Sequence, residues 1–353
     1  IRPDEDFRFR RRPFGRQAGR DEEITGEVFQ RLCANADRAH AFHSSSAGLI
    51  VTLGRDGNSG ERGKTMQQRV TFKSDGLDLV GILHIPDGMK PKEKRPAILV
   101  LHGFGTNKDG STPTKATRIL EDLGYIVLRF DMRGCGDSGG EHAHILCQDQ
   151  VRDTQAAATF LESVKQVDAK KIGVLGHSFG AAVAVYAGGV DKRFGAVISI
   201  GGWGDGVAKF REQHKSPAAW KKFIMKLEQG RRHRAKTGKP LMMPRFDIVP
   251  IPVPLRKHLV GNAILSFPTE TASSMMDFRA NDVVANISPR ALLLLHPAED
   301  TVTPTSQAVG LFTRARQPCD MHLVSGVDHF MLDDDQGLVK RILEDWLAKH
   351  FPI

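Results

Sequence analysis

The sequence predicts an α/β protein: a mainly parallel, doubly wound sheet with an inserted cap. Three observations predict it. From Met66 onward, short and uniformly apolar runs such as Ala97–Leu101 and Ala291–Leu295 alternate with helical patterns, as expected for strands covered on both faces. The pentapeptide Gly176-His-Ser-Phe-Gly180 joins an apolar run, Lys171–Leu175, to a small-residue run, Ala181–Ala187, which reads as strand, sharp turn and helix. Between Asp205 and Asn286 the alternation stops. A block of that length between two strands reads as a cap over the carboxyl edge of the sheet, where open α/β sheets bind ligands.

Each element has its own signal. Gln68–Lys73 and Leu77–Ile85 alternate around Ser74-Asp-Gly76 and form a hairpin. Ala97–His102, Tyr125–Asp131, Ile172–Leu175, Ala196–Ile200, Ala291–His296 and Met321–Val324 are strands. Ala116–Leu123 is a helix stopped by Gly124, and Asp149–Val164 shows helical spacing of Val151, Ala156, Ala157 and Phe160. Helices follow the Gly176–Gly180 turn and span Ser306–Arg314 and Gln336–His350. Asp333–Asp335 stand where carboxylates cap the last of them. The division is therefore a core of 66–204 plus 287–353 and a cap of 205–286.

The first 65 residues differ from the rest. They hold eleven Arg and one Lys, and all ten Met lie at or after Met66. No sustained period of 2 or 3.6 is present, so residues 1–65 read as a disordered leader. A sharper expectation is that Met66 is the natural start and residues 1–65 are upstream sequence, with a basic arm that docks on a partner as the alternative. A chain of 66–353 that fails to fold or loses activity would refute the first.

The 353 residues, 40% apolar and 26% charged, fit one large globular domain with an insertion. No apolar run approaches the roughly 20 residues that cross a bilayer. Cys33, Cys135, Cys147 and Cys319 lack CxxC spacing and read as thiols in a reducing, cytoplasmic setting. A net charge of +9 favours acidic surfaces without implying nucleic acid. Glu141, His142, His144 and Cys147 have metal-ligand atom types in loop context but no recognised spacing; the expectation is no metal and no cofactor.

The turn at Gly176–Gly180 places strain under Ser178, of a kind costing about 1–3 kcal/mol. The two glycines let strand and helix cross closely. A serine hydroxyl needs a base to take its proton, and the base needs an orienting acid. Leu292–His296 runs into Asp300, and Met321–Val324 runs into His329, so both candidates stand just past strand ends. His296 and His322 lie within apolar strands and read as core histidines. Among the acids, Glu299 is the alternative to Asp300, and Asp328 is too close in sequence to His329 for its side chain to meet the ring. Donors for a developing oxyanion are expected from the backbone N–H groups of Phe104 and Phe179, with His102 holding the Phe104 loop.

These residues carry a resemblance. His102-Gly-Phe-Gly105, Asp131-Met-Arg-Gly-Cys-Gly-Asp-Ser-Gly139, Gly176–Gly180, the Asp300 loop and His329 occur in one order over nearly all of 67–353. In that order they resemble the serine esterases of the α/β-hydrolase superfamily. His102–Lys108 and Asp131–Gly139 are similar to feruloyl/cinnamoyl esterases and the dienelactone-hydrolase-like group. Pro297 departs from the pattern, standing where a glycine often follows the strand histidine, and the cap matches no recognisable type.

The resemblance implies a triad of Ser178, Asp300 and His329, an oxyanion hole at Phe104 and Phe179, and hydrolysis of small to medium acyl or aryl esters through an acyl-enzyme. A thioesterase, an acyltransferase or a serine peptidase of the same fold would use the same triad. Trp203, Trp220, Phe223, Met275 and Met276 are the candidate pocket residues. The basic stretch Lys221–Lys239 reads as a solvated face, with recognition of an acidic or thioester-linked substrate as the alternative. The expected partner is a small-molecule ester, with no nucleic acid and no membrane span; a homo-oligomer is compatible with the sequence.

Overall fold

The computed structural model describes residues 65–353 other than Val260 and Asn262. Expectations for the leader cover residues 1–65, of which 1–64, Cys33 included, lie outside the described residues, while Thr65 opens the first strand. The hairpin forms as expected: β1 (Thr65–Ser74) pairs antiparallel with β2 (Leu77–Pro86). Its two-residue turn has positive φ at both central positions, 47° at Asp75 and 81° at Gly76, the turn whose twist matches the strands.

Six further strands complete the sheet: β3 (Arg95–Leu101), β4 (Ile126–Phe130), β5 (Val167–His177), β6 (Phe194–Ile200), β9 (Ala291–Pro297) and β10 (Cys319–Val324). The order is β1-β2-β4-β3-β5-β6-β9-β10. All pairs from β4 to β10 are parallel. The chain leaves β3 for β4 on one side and then reaches β5 on the other, so the topological switch point lies between β3 and β5, where a binding crevice opens.

Period two divides the apolar strand residues between the faces. Ala97, Leu99 and Leu101 pack with the helices Cys147–Ser163 and Phe179–Val190. Ile98 and Val100 pack with the helices Ser111–Asp122 and Gln336–His350. Helix Ser111–Asp122 begins five residues before the expected Ala116, because Pro113 falls in the first turn, where a missing N–H breaks no intrahelical bond. Of the three expected capping carboxylates, Asp335 accepts from Leu338 N at 2.9 Å. Asp333 instead bonds Ser111 and Lys115. His322 is a second correction: β10 is an edge strand, and the side is exposed there.

The insertion between β6 and β9 is helical. It contains the helices Gly206–Gln213, Pro217–Thr237 and Thr269–Asp277 and a two-stranded ribbon of β7 (Met242–Pro244) and β8 (Ser266–Pro268). Pro217 opens the long helix behind Ser216, whose hydroxyl accepts from Ala219 N, and Gly238 closes it at φ 71°. The run Arg231–Arg234 lies on this helix, with Arg231 and Arg232 exposed and paired to Glu228. No helix among the described residues is long and apolar enough to cross a membrane.

Candidate active site

β5 turns into its helix at Ser178, whose φ of 56° and ψ of −115° lie in a region that side chains rarely adopt. The flanking glycines are obligatory for a steric reason. A Cβ on Gly176 would run into the backbone of Gly180 and Ala181, and one on Gly180 would lie 2.6 Å from His102 O and 2.7 Å from Leu101 O. Ser178 N donates to Ile200 O at 2.8 Å, which ties the strained residue to β6.

The structure brings Ser178, His329 and Asp300 together. His329 Nε2 lies 2.8 Å from Ser178 Oγ, and His329 Nδ1 lies 2.8 Å from Asp300 Oδ2. With Nδ1–H donating to the carboxylate, Nε2 is left to accept the serine proton. Asp300 Oδ1 accepts from Val302 N at 2.8 Å and Thr303 N at 2.6 Å. Burial raises the Asp300 pKa, but the attraction and hydrogen bond of His329, with His296 and Thr303, outweigh it and hold the carboxyl below its usual range. The imidazole packs on Gly201, where a Cβ would stand 3.4 Å from its Cε1 and Nδ1. Glu299 is exposed. Asp328 turns away to accept from Thr301 N and Thr301 Oγ1 at 2.9 and 2.7 Å.

Phe179 N opens a helix, so it has no intrahelical partner. Phe104 sits after β3 with its ring 5.9 Å from that of Phe179 and 4.2 Å from that of Phe267 in the cap. His102 holds this loop as expected: Nδ1–H donates to Gly103 O at 2.9 Å, and Nε2 accepts from Met132 N at 3.1 Å. Behind it is a buried ion cluster. Lys108 Nζ donates to Asp131 Oδ2 at 2.9 Å and to Asp137 Oδ2 at 2.8 Å, which explains why Lys108 and the Asp131 loop occur together.

A cavity opens on Ser178. Trp203 and Met275 line it; Trp220, Phe223 and Met276 do not. Phe223 is buried against His214 and Phe210, at 4.3 and 4.9 Å between ring centroids, and Trp220 stands 6.0 Å from it. Those two rings serve the cap's own core, because the long helix turns that face to its neighbour helix. Met276 follows Met275 by one helical step, about 100° round the axis, and packs half-buried against the core.

Four polar residues stand at the site, three of them (His177, Arg245 and Lys209) without a role expected from the sequence, while His296 is the buried histidine its strand suggested. His177 Nε2–H donates to His329 O at 2.9 Å, and burial, with His329 adding to it, brings its pKa down to about 4. His296 donates to Thr303 O at 2.9 Å and lies 3.5 Å from Asp300. Arg245 donates to Phe104 O at 2.5 Å and to Ile264 O at 3.0 Å from a fully buried position. Lys209 lines the cavity, and burial pulls its ammonium down to about 7. None has a sequence period or spacing that would single it out; a lone cation in an apolar stretch, as at Arg245, is the nearest to a signal.

A family model described as the alpha/beta hydrolase family matches residues 98–341. The polyketide transferase grgF of a Penicillium species is 25% identical over 289 residues, spanning 78% of this chain and 94% of that protein. The thiohydrolase aneE of Aspergillus aculeatus is 25% identical over 315 residues, spanning 82% and 96%. The crystal structure of GrgF has a TM-score of 0.67 at 22% identity, covering 81% of this chain and 99% of that one. Est1E of Butyrivibrio proteoclasticus with ferulic acid bound has a TM-score of 0.58 at 18% identity, covering 80% and 98%. At these identities the two solved structures carry the fold alone.

Proposed function

The chain belongs to the alpha/beta hydrolase family, and on that premise we propose that it is a serine hydrolase of carboxylic esters. The observation that carries the reading is the relay from Ser178 Oγ through His329 to Asp300, with both contacts at 2.8 Å. Ser178 Oγ attacks the ester carbonyl as His329 Nε2 takes its proton, and Asp300 stabilises the imidazolium. The Phe104 and Phe179 amides receive the oxyanion. His329 returns the proton to the departing alcohol. Water, deprotonated by the same nitrogen, then resolves the acyl-enzyme. Replacing Ser178 by Ala should abolish turnover of a short p-nitrophenyl ester and labelling by a fluorophosphonate while the melting temperature holds. Retained turnover or labelling would refute the assignment.

A second reading keeps the acyl-enzyme and changes its fate. The relatives named polyketide transferase, thiohydrolase and acyltransferase favour a thioester donor, with water or an alcohol as acceptor. Incubation with an acyl N-acetylcysteamine thioester, with and without an added alcohol, decides it: an ester product seen by mass spectrometry supports transfer, and free acid alone supports hydrolysis. The peptidase alternative gains no support, since among the described residues no Asp or Glu lines the cavity to hold a substrate amine.

A further inference from the structure

Lys209 is a buried amine with no counterion among the described residues. It lies on the helix Gly206–Gln213, which approaches the helix Thr269–Asp277 so closely that a Cβ on Gly206 would collide with Met275 O. That contact fixes the lysine at the cavity wall with 2% of its surface exposed. Its Nζ has no hydrogen-bond partner among the described residues. Among the described residues, two ring faces meet it, Trp203 at 4.6 Å and Phe210 at 4.1 Å from the centroids. Cation–π contacts return about 0.5–2 kcal/mol, less than the several kcal/mol that burying an ammonium costs. A lysine kept in such a place is short of an anion.

The rest of the wall also carries nitrogen donors, although His258 faces the Asp333 carboxylate at 3.1 Å from its other ring nitrogen. Arg245 and His258 line the cavity with Lys209, each retaining one buried nitrogen without a partner among the described residues. No carboxylate is among the lining residues. The Trp203 ring that Lys209 faces is 5.7 Å from the ring of Phe179, next to the elbow serine. Lys209, Trp203 and Ser178 therefore line one cavity, and the lysine makes no hydrogen bond to Ser178.

We propose that Lys209 binds a carboxylate carried by the acyl part of the substrate, distal to the scissile carbonyl, so that the preferred substrates are monoesters or monothioesters of dicarboxylic acids. This rests on Ser178 being the acylated nucleophile. The anion supplies the missing partner of Nζ, and binding keeps the lysine protonated.

The test compares kcat/KM at pH 6.5 for p-nitrophenyl pentanoate with that for the p-nitrophenyl monoesters of succinic, glutaric and adipic acids. In the wild type at least one acid monoester should exceed the neutral ester tenfold or more. In Lys209→Met that ratio should fall at least tenfold. A ratio below one for all three acids, or a ratio unchanged in the variant, would overturn the proposal. Competition in the wild type needs no variant: free glutarate should inhibit hydrolysis of the neutral ester at a concentration at least tenfold below that of pentanoate, and equal inhibition counts against it. Turnover of the neutral ester with fluorophosphonate labelling but no acid preference refutes the role of Lys209 alone. Absence of both turnover and labelling refutes the nucleophile, and the proposal with it.

Discussion

The side chain of His177 donates from Nε2–H to the backbone carbonyl of His329 at 2.9 Å. The residue before the elbow serine thus holds the residue that carries the candidate base. Neighbours on one side of the nucleophile and a loop from the far edge of the sheet are fixed by a single bond, with the two imidazole centroids 5.0 Å apart.

This bond makes His177 a positioning residue. In His177→Leu the His329 carbonyl loses its donor, at about 1–3 kcal/mol of stability, and kcat should fall about tenfold with KM within about twofold. His177→Gln, whose amide can donate in place of Nε2, should recover most of kcat. The pH dependence has a defined sign. The folded pKa is down at about 4 against an ordinary 6.5, so between those values the unfolded chain binds a proton that the native chain refuses. Stability therefore falls with pH from about 6.5 to 4 more steeply in the wild type than in His177→Gln. Denaturant titrations at several pH values read both slopes.

Asp300→Asn keeps the shape of the acid and removes its charge. The amide can present its N–H₂ to Nδ1 and favour the wrong imidazole tautomer, so kcat should drop about 10⁴-fold with little change in fold. Steady-state kinetics with a p-nitrophenyl ester, beside a circular dichroism melt, checks it; a drop under tenfold would move the acid's role elsewhere.

Lys108→Met should be costly for folding. Asp131 is fully buried and has Lys108 as its ion-pair partner, with the backbone N–H groups of Lys108 and Asp137 as its other donors. Removing the cation strands a buried charge, which costs about 3–5 kcal/mol. Urea unfolding should show a lowered midpoint, and adding Asp131→Asn to the variant should recover part of the loss.

Gly180→Ala tests the crossing of β5 and its helix. The new methyl would press on the carbonyls of Leu101 and His102, which belong to β3 and the Phe104 loop and cannot rotate aside. Overpacking costs about 1–3 kcal/mol and occasionally more; here the upper end is expected, read as a lowered melting temperature together with loss of ester turnover.

The main strands and the loops bearing Ser178, Asp300 and His329 were legible because their signals are local. Apolar runs of strand length, a Gly-flanked serine and acid or imidazole just past a strand end all depend on neighbours in sequence. The pocket was less legible. Trp203 follows β6 directly, so its position was fixed by the sheet; Trp220 and Phe223 depend on how a 21-residue helix rolls against its neighbours, which no period reveals. Lys209 and Arg245 were hidden for a related reason: their burial is set by contacts between segments far apart in the chain. The helix Ser111–Asp122 was underestimated because its first turn holds Thr and Pro residues that carry no apolar period.

The insertion between β6 and β9 does more than contribute to the cavity wall. Arg245 reaches from it to Phe104 O and Gly105 O, Ile264 N donates to Gly105 O at 2.9 Å, and Phe267 stacks on Phe104. The loop offered as half of the oxyanion hole is thus clamped by the insertion rather than by the sheet alone. The cavity wall and the Phe104 loop are mechanically joined here. A chimera that exchanges residues 205–286 for a relative's insertion would exchange the scaffold of the oxyanion site as well. Retargeting this enzyme is therefore a matter of changing single wall residues with Arg245, Ile264 and Phe267 left in place.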